Sequence, residues 1–199
     1  MRARGLAMTA GVIPYVPLDR ATVADWDREY AGGELDAYGD LPELARYSLL
    51  AGYLQHLGPG LTILDVGCGI GLLRERIDGL PFAHYVGIDP SAEAIARAER
   101  LADGRTTFLR TVLPLPEHER FHVVICNEVL YVVPDPEQMI HELHDAVLPG
   151  GHLLLSIWAH PGDRALYGLL ERRFQLVDSV LARNAARRRG NRVSMYVPR

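Results

Sequence analysis

The residues with the clearest chemical content form one nine-residue run, Ile63-Leu64-Asp65-Val66-Gly67-Cys68-Gly69-Ile70-Gly71. A short apolar segment feeds a turn with glycine at every second position, and a helical pattern follows at Leu72–Ile77. In α/β folds a strand, a glycine turn and a helix bring a ligand to helix-end amides at the carboxyl edge of a sheet. The spacing bears on which ligand. A dinucleotide fingerprint requires G-x-G-x-x-G, but the third glycine position is Leu72 and the last glycine comes one residue early. Asp65 stands immediately before the turn, where a carboxylate repels a pyrophosphate and attracts an ammonium or sulfonium. A second acid, Asp89 in Gly87-Ile88-Asp89-Pro90-Ser91, follows roughly twenty residues past the glycines, where it can accept hydrogen bonds from both ribose hydroxyls. Together these residues describe a site for a nucleoside with a cationic amino-acid tail. Its candidate contacts are Asp65, Gly67, Cys68, Gly69, Gly71, Asp89, Pro90 and Ser91. Asp89 also has a plainer reading, as the cap region of a helix beginning near Ser91, but that leaves Asp65 and the glycine triplet unexplained.

Such a site needs a parallel sheet around it, and the chain supplies the pattern. Apolar strands at Leu61–Val66, Tyr85–Ile88, Thr106–Leu109, Phe121–Cys126 and His152–Trp158 alternate with helical stretches at Leu72–Ile77, Ser91–Ala102 and Pro136–Val147. Pro149-Gly150-Gly151 stops the last of these helices. Upstream, Ala21–Leu57 reads as helix in pieces broken at Gly32-Gly33 and Gly39. The final piece carries Leu44, Tyr47, Leu50, Ala51 and Leu54 on one face, and Gly58-Pro59-Gly60 ends it. After a helix at Arg164–Arg173, two strands, Phe174–Ala182 and Arg192–Val197, form an antiparallel hairpin through an Arg-rich loop. The expected organisation is a flexible leader (residues 1–20) and one domain (21–199), made of a helical lid (21–57) on an α/β core (61–199).

Composition removes several chemistries. At 199 residues, 48% hydrophobic and with net charge −4, the chain reads as one globular domain. Cys68 and Cys126 are its only cysteines, which excludes a disulfide scaffold, a four-cysteine zinc site and a cysteine-held iron–sulfur cluster within the chain. All 21 basic residues are Arg, so Schiff-base chemistry and the phosphate-loop lysine are absent. No apolar run approaches the roughly 18 residues of a membrane span. Leu6–Val16 imitates a secretion signal, but Thr9, Gly11 and Pro14 interrupt it and no small-x-small cleavage site follows. We read it as a leader, with Met8 an alternative start, and expect a cytoplasmic protein.

At these residues the sequence resembles the class I S-adenosylmethionine-dependent methyltransferases over about residues 42–158. Ile63–Gly71 resembles their first motif and Val86–Asp89 the acidic end of their second strand. Val123–Cys126 with Asn127-Glu128-Val129-Leu130 resembles the fourth strand and the turn after it. Leu148–Leu153 resembles their Pro-Gly-Gly entry to the fifth strand. The resemblance implies a Rossmann-like doubly wound sheet of seven strands in the order 3-2-1-4-5-7-6, the last strand antiparallel. It implies S-adenosylmethionine as cofactor, with Asn127 and Glu128 among its contacts. It also implies that an aromatic or Arg of the N-terminal region holds the methionine end, for which Tyr30, Tyr38 and Arg46 are candidates, ordinary packing being the alternative. Many members carry an acid just past the third strand to receive the adenine amino group. Here the stretch reads Phe108-Leu109-Arg110-Thr111, leaving Thr111 as the acceptor.

The methyl acceptor should lie beyond the fourth and fifth strands, beside Glu128, Tyr131, Trp158 and His160. His160 is the candidate base, with an exposed loop histidine as the competing reading, and Tyr131 is either an active contact or packing under the lid. Asn127-Glu128 departs from the Asn-Pro-Pro-aromatic signature of base- and glutamine-methylating relatives. His141 and His144 share a helix face but lack a third ligand, so no metal is expected. Downstream of residue 163 the charge reverses, with nine arginines against Glu171 and Asp178. That tail suits either RNA or protein docking or an exposed loop. The favoured reading is a small-molecule methyltransferase, monomeric or homodimeric, acting on O, N or C without nucleic acid or membrane. The alternatives are an RNA or protein methyltransferase and a non-catalytic binding subunit of the same fold.

Overall fold

The computed structural model describes residues 23–116, 119–159, 164–184 and 187–199. Strand β1 (Thr62–Val66) lies at the centre, flanked by β2 (His84–Asp89) and β4 (Phe121–Asn127), both parallel to it. β3 (Thr106–Arg110) extends one side, and β5 (Val147–Trp158), β7 (Arg187–Pro198) and β6 (Phe174–Asn184) the other. The order is therefore 3-2-1-4-5-7-6, with β7 antiparallel to both neighbours.

Alternation along the strands builds the two faces. Ile63, Tyr85, Val123, Ile125 and Leu154 face α2 (Leu44–Leu57), α3 (Leu72–Arg76) and α4 (Ala92–Ala98). Leu64, Val86, Val124, Cys126 and Leu155 face α5 (Pro136–Ala146) and α6 (Arg164–Arg173). Leu50 and Leu64 are completely buried, one in each layer. Truncating such a leucine to alanine costs about 2–5 kcal/mol. Arg74 of α3, 2% exposed, donates to Thr106 on β3 (2.8 Å) and to Asp103 (3.0 Å), tying the helix after the glycine turn to the sheet edge.

The N-terminal region divides into two roles. α1 (Val23–Gly32) and the 3-10 turns Glu34–Gly39 and Leu41–Glu43 form the cover, whereas α2 is a core helix that buries Tyr47, Leu50 and Leu54. The lid expected over residues 21–57 is thus shorter than the helical pattern suggested.

Three boundaries differ from the sequence expectation. α5 stops at Ala146, and β5 begins at Val147 and runs through Pro149-Gly150-Gly151. Val147 pairs with Phe121 and His152 with Val123, so the extra residues bulge outward between them. A side chain on Gly151 would come 2.7 Å from the His122 carbonyl, which explains why glycine lets the strand pass where a stop was expected. The helix expected to reach Ala102 turns 3-10 after Ala98. Arg187, Arg188 and Arg189 belong to β7 and not to a loop.

Candidate active site

A cleft of about 560 Å³ opens at the carboxyl ends of β1, β2, β4 and β5. The cover closes it from above through Trp26, Tyr30 and Tyr38.

The glycine turn forms its floor. Gly67 has φ +71°, and a Cβ there would lie 2.3 Å from Val129 Cγ2 beyond β4, so the turn and the β4 exit approach as closely as only glycine permits. The turn is rigid because its amides are spent inside the protein. Gly67 and Cys68 N–H both donate to the Ile88 carbonyl (2.8 and 3.0 Å), Gly69 N–H to Asp89 Oδ2 (3.0 Å) and Gly71 N–H to the Cys68 carbonyl (3.1 Å). The sequence suggested amides directed at a ligand. These four donors fix the shape of the floor and leave its carboxylates facing the cleft.

Two carboxylates serve it. Asp65, 2% exposed, receives the Tyr85 hydroxyl at Oδ2 (2.5 Å), while its buried Oδ1 has no hydrogen-bond partner among the described residues. Burial, with the nearby Asp89 charge, pushes its carboxyl up to about 7, offset in part by the Tyr85 bond. Asp89, 6% exposed, is held by the amides of Gly69 and Ser91 (2.9 Å for the latter), and burial raises its pKa as well. Ser91 does cap α4, accepting from Ala94 N–H at 3.1 Å, so the plain reading of this segment is also true; the cap and the site share it.

The cover is latched to α4. Asp27 accepts the Ser91 hydroxyl (2.6 Å) and Glu93 N–H (3.3 Å), and Arg97 donates to the Tyr30 carbonyl (3.1 Å) and to Asp36 (2.6 Å). The latch carries the Tyr30 hydroxyl to 2.7 Å from where a Gly69 Cβ would stand. Behind it Arg46, 3% exposed, pairs with Glu43 (2.9 Å) and donates to Asn127 Oδ1 (3.0 Å), its guanidinium 5.2 Å from the Tyr38 ring centre and 4.5 Å from that of Tyr47. Burial opposes its charge, but Tyr47, Glu128 and Glu43 outweigh that and keep its pKa above the usual value.

The wall past β4 and β5 is different. Glu128 has φ +63°, the single non-glycine positive φ among the described residues, a conformation that costs about 1–3 kcal/mol. Its N–H is held by the Ser156 carbonyl (2.9 Å), and its carboxylate receives the hydroxyls of Ser156 (2.5 Å) and Tyr131 (2.7 Å). Burial and the Glu128 charge push the Tyr131 phenol well up, so it remains protonated. Val129, Val132, Val133, Met139 and Trp158 make the rest of this wall apolar.

The cleft thus gathers Asp65, Gly67, Cys68, Gly69, Asp89, Pro90, Thr111, Asn127, Glu128, Tyr131, Tyr30, Tyr38 and Arg46. Gly71 and Ser91 stand one layer back, as the start of α3 and the cap of α4. The Thr111 hydroxyl donates to the Val112 carbonyl (3.3 Å) and keeps its lone pairs as acceptors. His160, the candidate base, lies outside the described residues. His141 contacts Arg173 and the Glu137 carbonyl, His144 contacts Asp145, and among the described residues no three ligating groups gather as for a metal. Sequence reading missed Asp27 and Ser156, whose roles are contacts between distant segments, and Glu43, which pairs with Arg46 three residues on. Only Ser156, a hydroxyl inside an otherwise apolar strand, carried a local hint.

Comparison with known proteins bears on this arrangement. The family model described as "Methyltransferase domain" matches residues 40–198. The chain belongs to that family. Its curated relatives include ubiquinone biosynthesis O-methyltransferases. That of Paraburkholderia phytofirmans is 37% identical over 103 residues, 49% of this chain and 44% of the relative. That of Klebsiella pneumoniae is 32% identical over 151 residues, 70% of this chain and 61% of the relative. The chain spans about half the length of the curated relatives it matches. Among solved structures, the N-methyltransferase NodS of Bradyrhizobium japonicum, bound to S-adenosyl-L-homocysteine, superposes with TM-score 0.76 at 20% identity, covering 87% of this chain and 96% of that one. Magnesium protoporphyrin IX methyltransferase of Synechocystis, with bound SAM, gives 0.72 at 22% identity, covering 90% and 99%. At those identities the likeness concerns the fold. Within this methyltransferase domain the residues fit S-adenosylmethionine. The unpartnered Asp65 oxygen suits its cationic end, buried Asp89 its ribose, and Arg46 its carboxylate. No helix among the described residues is long and apolar enough to cross a membrane.

Proposed function

We propose that the protein is an S-adenosylmethionine-dependent methyltransferase acting on a hydroxyl of a small, largely apolar metabolite. The observation that carries this reading is the pair of buried carboxylates beside a turn four of whose amides are bonded inside the protein. A phosphorylated coenzyme would meet the Asp65 and Asp89 carboxyls beside a turn whose Gly67, Cys68, Gly69 and Gly71 amides are already bonded, whereas a cationic nucleoside meets a carboxylate oxygen with no partner among the described residues. The choice of oxygen as acceptor is supported by the curated O-methyltransferase relatives and by the acidic, proton-accepting character of the wall at Glu128. The apolar side chains around it favour an acceptor with a hydrophobic body.

When bound, S-adenosylmethionine supplies an already activated methyl group. The protein's part is to hold, align and exclude water, and orientation of this kind is worth about 7–11 kcal/mol. With the cofactor bound, Asp65 and Arg46 would hold the two charges of the methionine end, Asp89 the ribose and Thr111 the adenine amino group. Tyr30 and Tyr38, carried by the latched cover, shut the cleft from water.

Isothermal titration tests the reading. S-adenosyl-L-homocysteine should bind at micromolar level while NADH does not bind, and the affinity should fall in Asp89→Ala. Binding of NADH, or of neither compound, would overturn it.

A further inference from the structure

We propose that Glu128 takes up the proton of the acceptor's hydroxyl, and that Ser156 and Tyr131 position it to do so. This rests on the O-methyl transfer proposed above, and moves Glu128 from the cofactor contacts to the reacting end of the acceptor.

Four observations lead there. First, Glu128 lines the cleft at the first position past β4, among apolar side chains, and is the one carboxylate of that wall among the described residues. Second, the carboxylate is held at both ends. Ser156, completely buried on β5, donates to Oε1 and Tyr131 to Oε2, so each oxygen keeps a further lone pair for an incoming donor. Third, the backbone is forced: a non-glycine residue sits at φ +63°, anchored by its N–H on the Ser156 carbonyl, where glycine would fit with less strain. A side chain is retained at a position that penalises one. Fourth, the nearby cation does not pair with it. Arg46 spends its bonds on Glu43, Asn127 and Tyr47. Among the described residues the charged and titratable groups facing Glu128 are Arg46, Tyr38, Tyr131 and Cys126, and burial holds the two phenols and the thiol protonated. Tyr131, held protonated, turns its hydroxyl hydrogen onto Glu128 Oε2, which makes it a positioning residue and leaves Glu128 as the base among the described residues.

The step balances. The O–H bond breaks, its electron pair forms the new O–CH₃ bond, and the proton passes to a Glu128 oxygen. The S–CH₃ pair stays on sulfur, so a sulfonium and a carboxylate become a thioether and a carboxylic acid at unchanged total charge.

The test uses the full chain, labelled S-adenosylmethionine, and phenol, catechol and 4-nitrophenol at a mildly alkaline pH where only 4-nitrophenol is already ionised. Glu128→Gln should lower kcat on phenol and catechol about 100- to 10,000-fold, the usual value of a positioned base, and on 4-nitrophenol by less than about tenfold. S-adenosyl-L-homocysteine affinity and Tm should stay near wild type. Ser156→Ala removes a donor to the carboxylate, so the acid limb of the pH–kcat profile should move to higher pH, which a merely structural role would not do. Equal loss on all three phenols, a tenfold loss of homocysteine-adduct binding in Glu128→Gln, or no turnover of any phenol by a wild-type protein that binds the adduct would each overturn the inference. A wild-type protein that fails to bind the adduct overturns the methyltransferase reading itself, and is told apart by that titration.

Discussion

The two halves of the cleft are built on opposite plans. On the β1–β2 side the ligand-facing surface is backbone and two acids, drawn from a short stretch of chain, with Gly67, Cys68 and Gly69 bonded to Ile88 and Asp89. On the β4–β5 side it is side chains, drawn from the cover, β4 and β5, with a strained Glu128 held by partners 28 and 3 residues away. The first half has no adjustable part, which suits one invariant ligand. The second can be altered residue by residue without disturbing the first, which suits an acceptor that differs between enzymes of one fold.

Substitutions can break or sharpen this contrast. The largest effect is expected of Gly67→Val. Its Cβ would lie 2.3 Å from Val129 at a backbone angle valine rejects, and we expect more than about 100-fold loss of S-adenosyl-L-homocysteine binding by calorimetry. A variant that bound normally would show that the floor is not where the cofactor rests. Asp89→Ala should weaken binding about 10- to 100-fold, since the charge-assisted bond to the Gly69 amide is lost together with the proposed acceptor for the ribose. Unchanged affinity would leave Asp89 with the helix cap alone.

Asp65 gives the contrast a pH signature. With its carboxyl raised to about 7, the ionised form that attracts a cation is incomplete in the free protein below that pH. Cofactor affinity should therefore climb as pH rises toward 7 and then level. Asp65→Asn should bind about 10-fold more weakly and lose the slope. The stability of the free protein runs the other way. A folded pKa above the unfolded value of 3.8 means the folded state holds more protons, so this residue's contribution falls as pH rises from about 4 to 7. Thermal melts across that range, with and without the adduct, read both signs. The smallest effect belongs to the latch. Asp27→Asn keeps the shape but loses charge against Ser91 and Glu93, and should speed adduct release about 3- to 10-fold in stopped flow. An unaltered release rate would mean that the cover does not gate the cleft.

The same division governs what could be read from the sequence. The floor was legible because its chemistry is local. Asp65, the three glycines and Asp89 sit in runs whose spacing already states the turn. Strand order followed from alternating strands and helices together with the resemblance. The wall was legible only as a place. Glu128 could be marked as following the fourth strand, but its two hydroxyl partners and its backbone angle depend on β5 folding beside β4. The cover was overdrawn for the same reason: the apolar stripe of α2 has a helical period whether it covers a ligand or packs on a sheet. Pro149-Gly150-Gly151 read as a stop because local propensity cannot register the His122 carbonyl that Gly151 passes at close range.

β7 comes last among the strands yet stands inside the sheet, between β5 and β6. Ser156, the support of Glu128, pairs there with Val193. On the ribosome, the nucleoside-seating segment emerges well before the strand that steadies the acceptor wall. Until it arrives, β5 shows a bare edge to any other chain, and closing that gap joins residues far apart in the sequence, which is slow. The β6–β7 hairpin thus decides when β5 loses its open edge, although none of the described residues lining the cleft belongs to it.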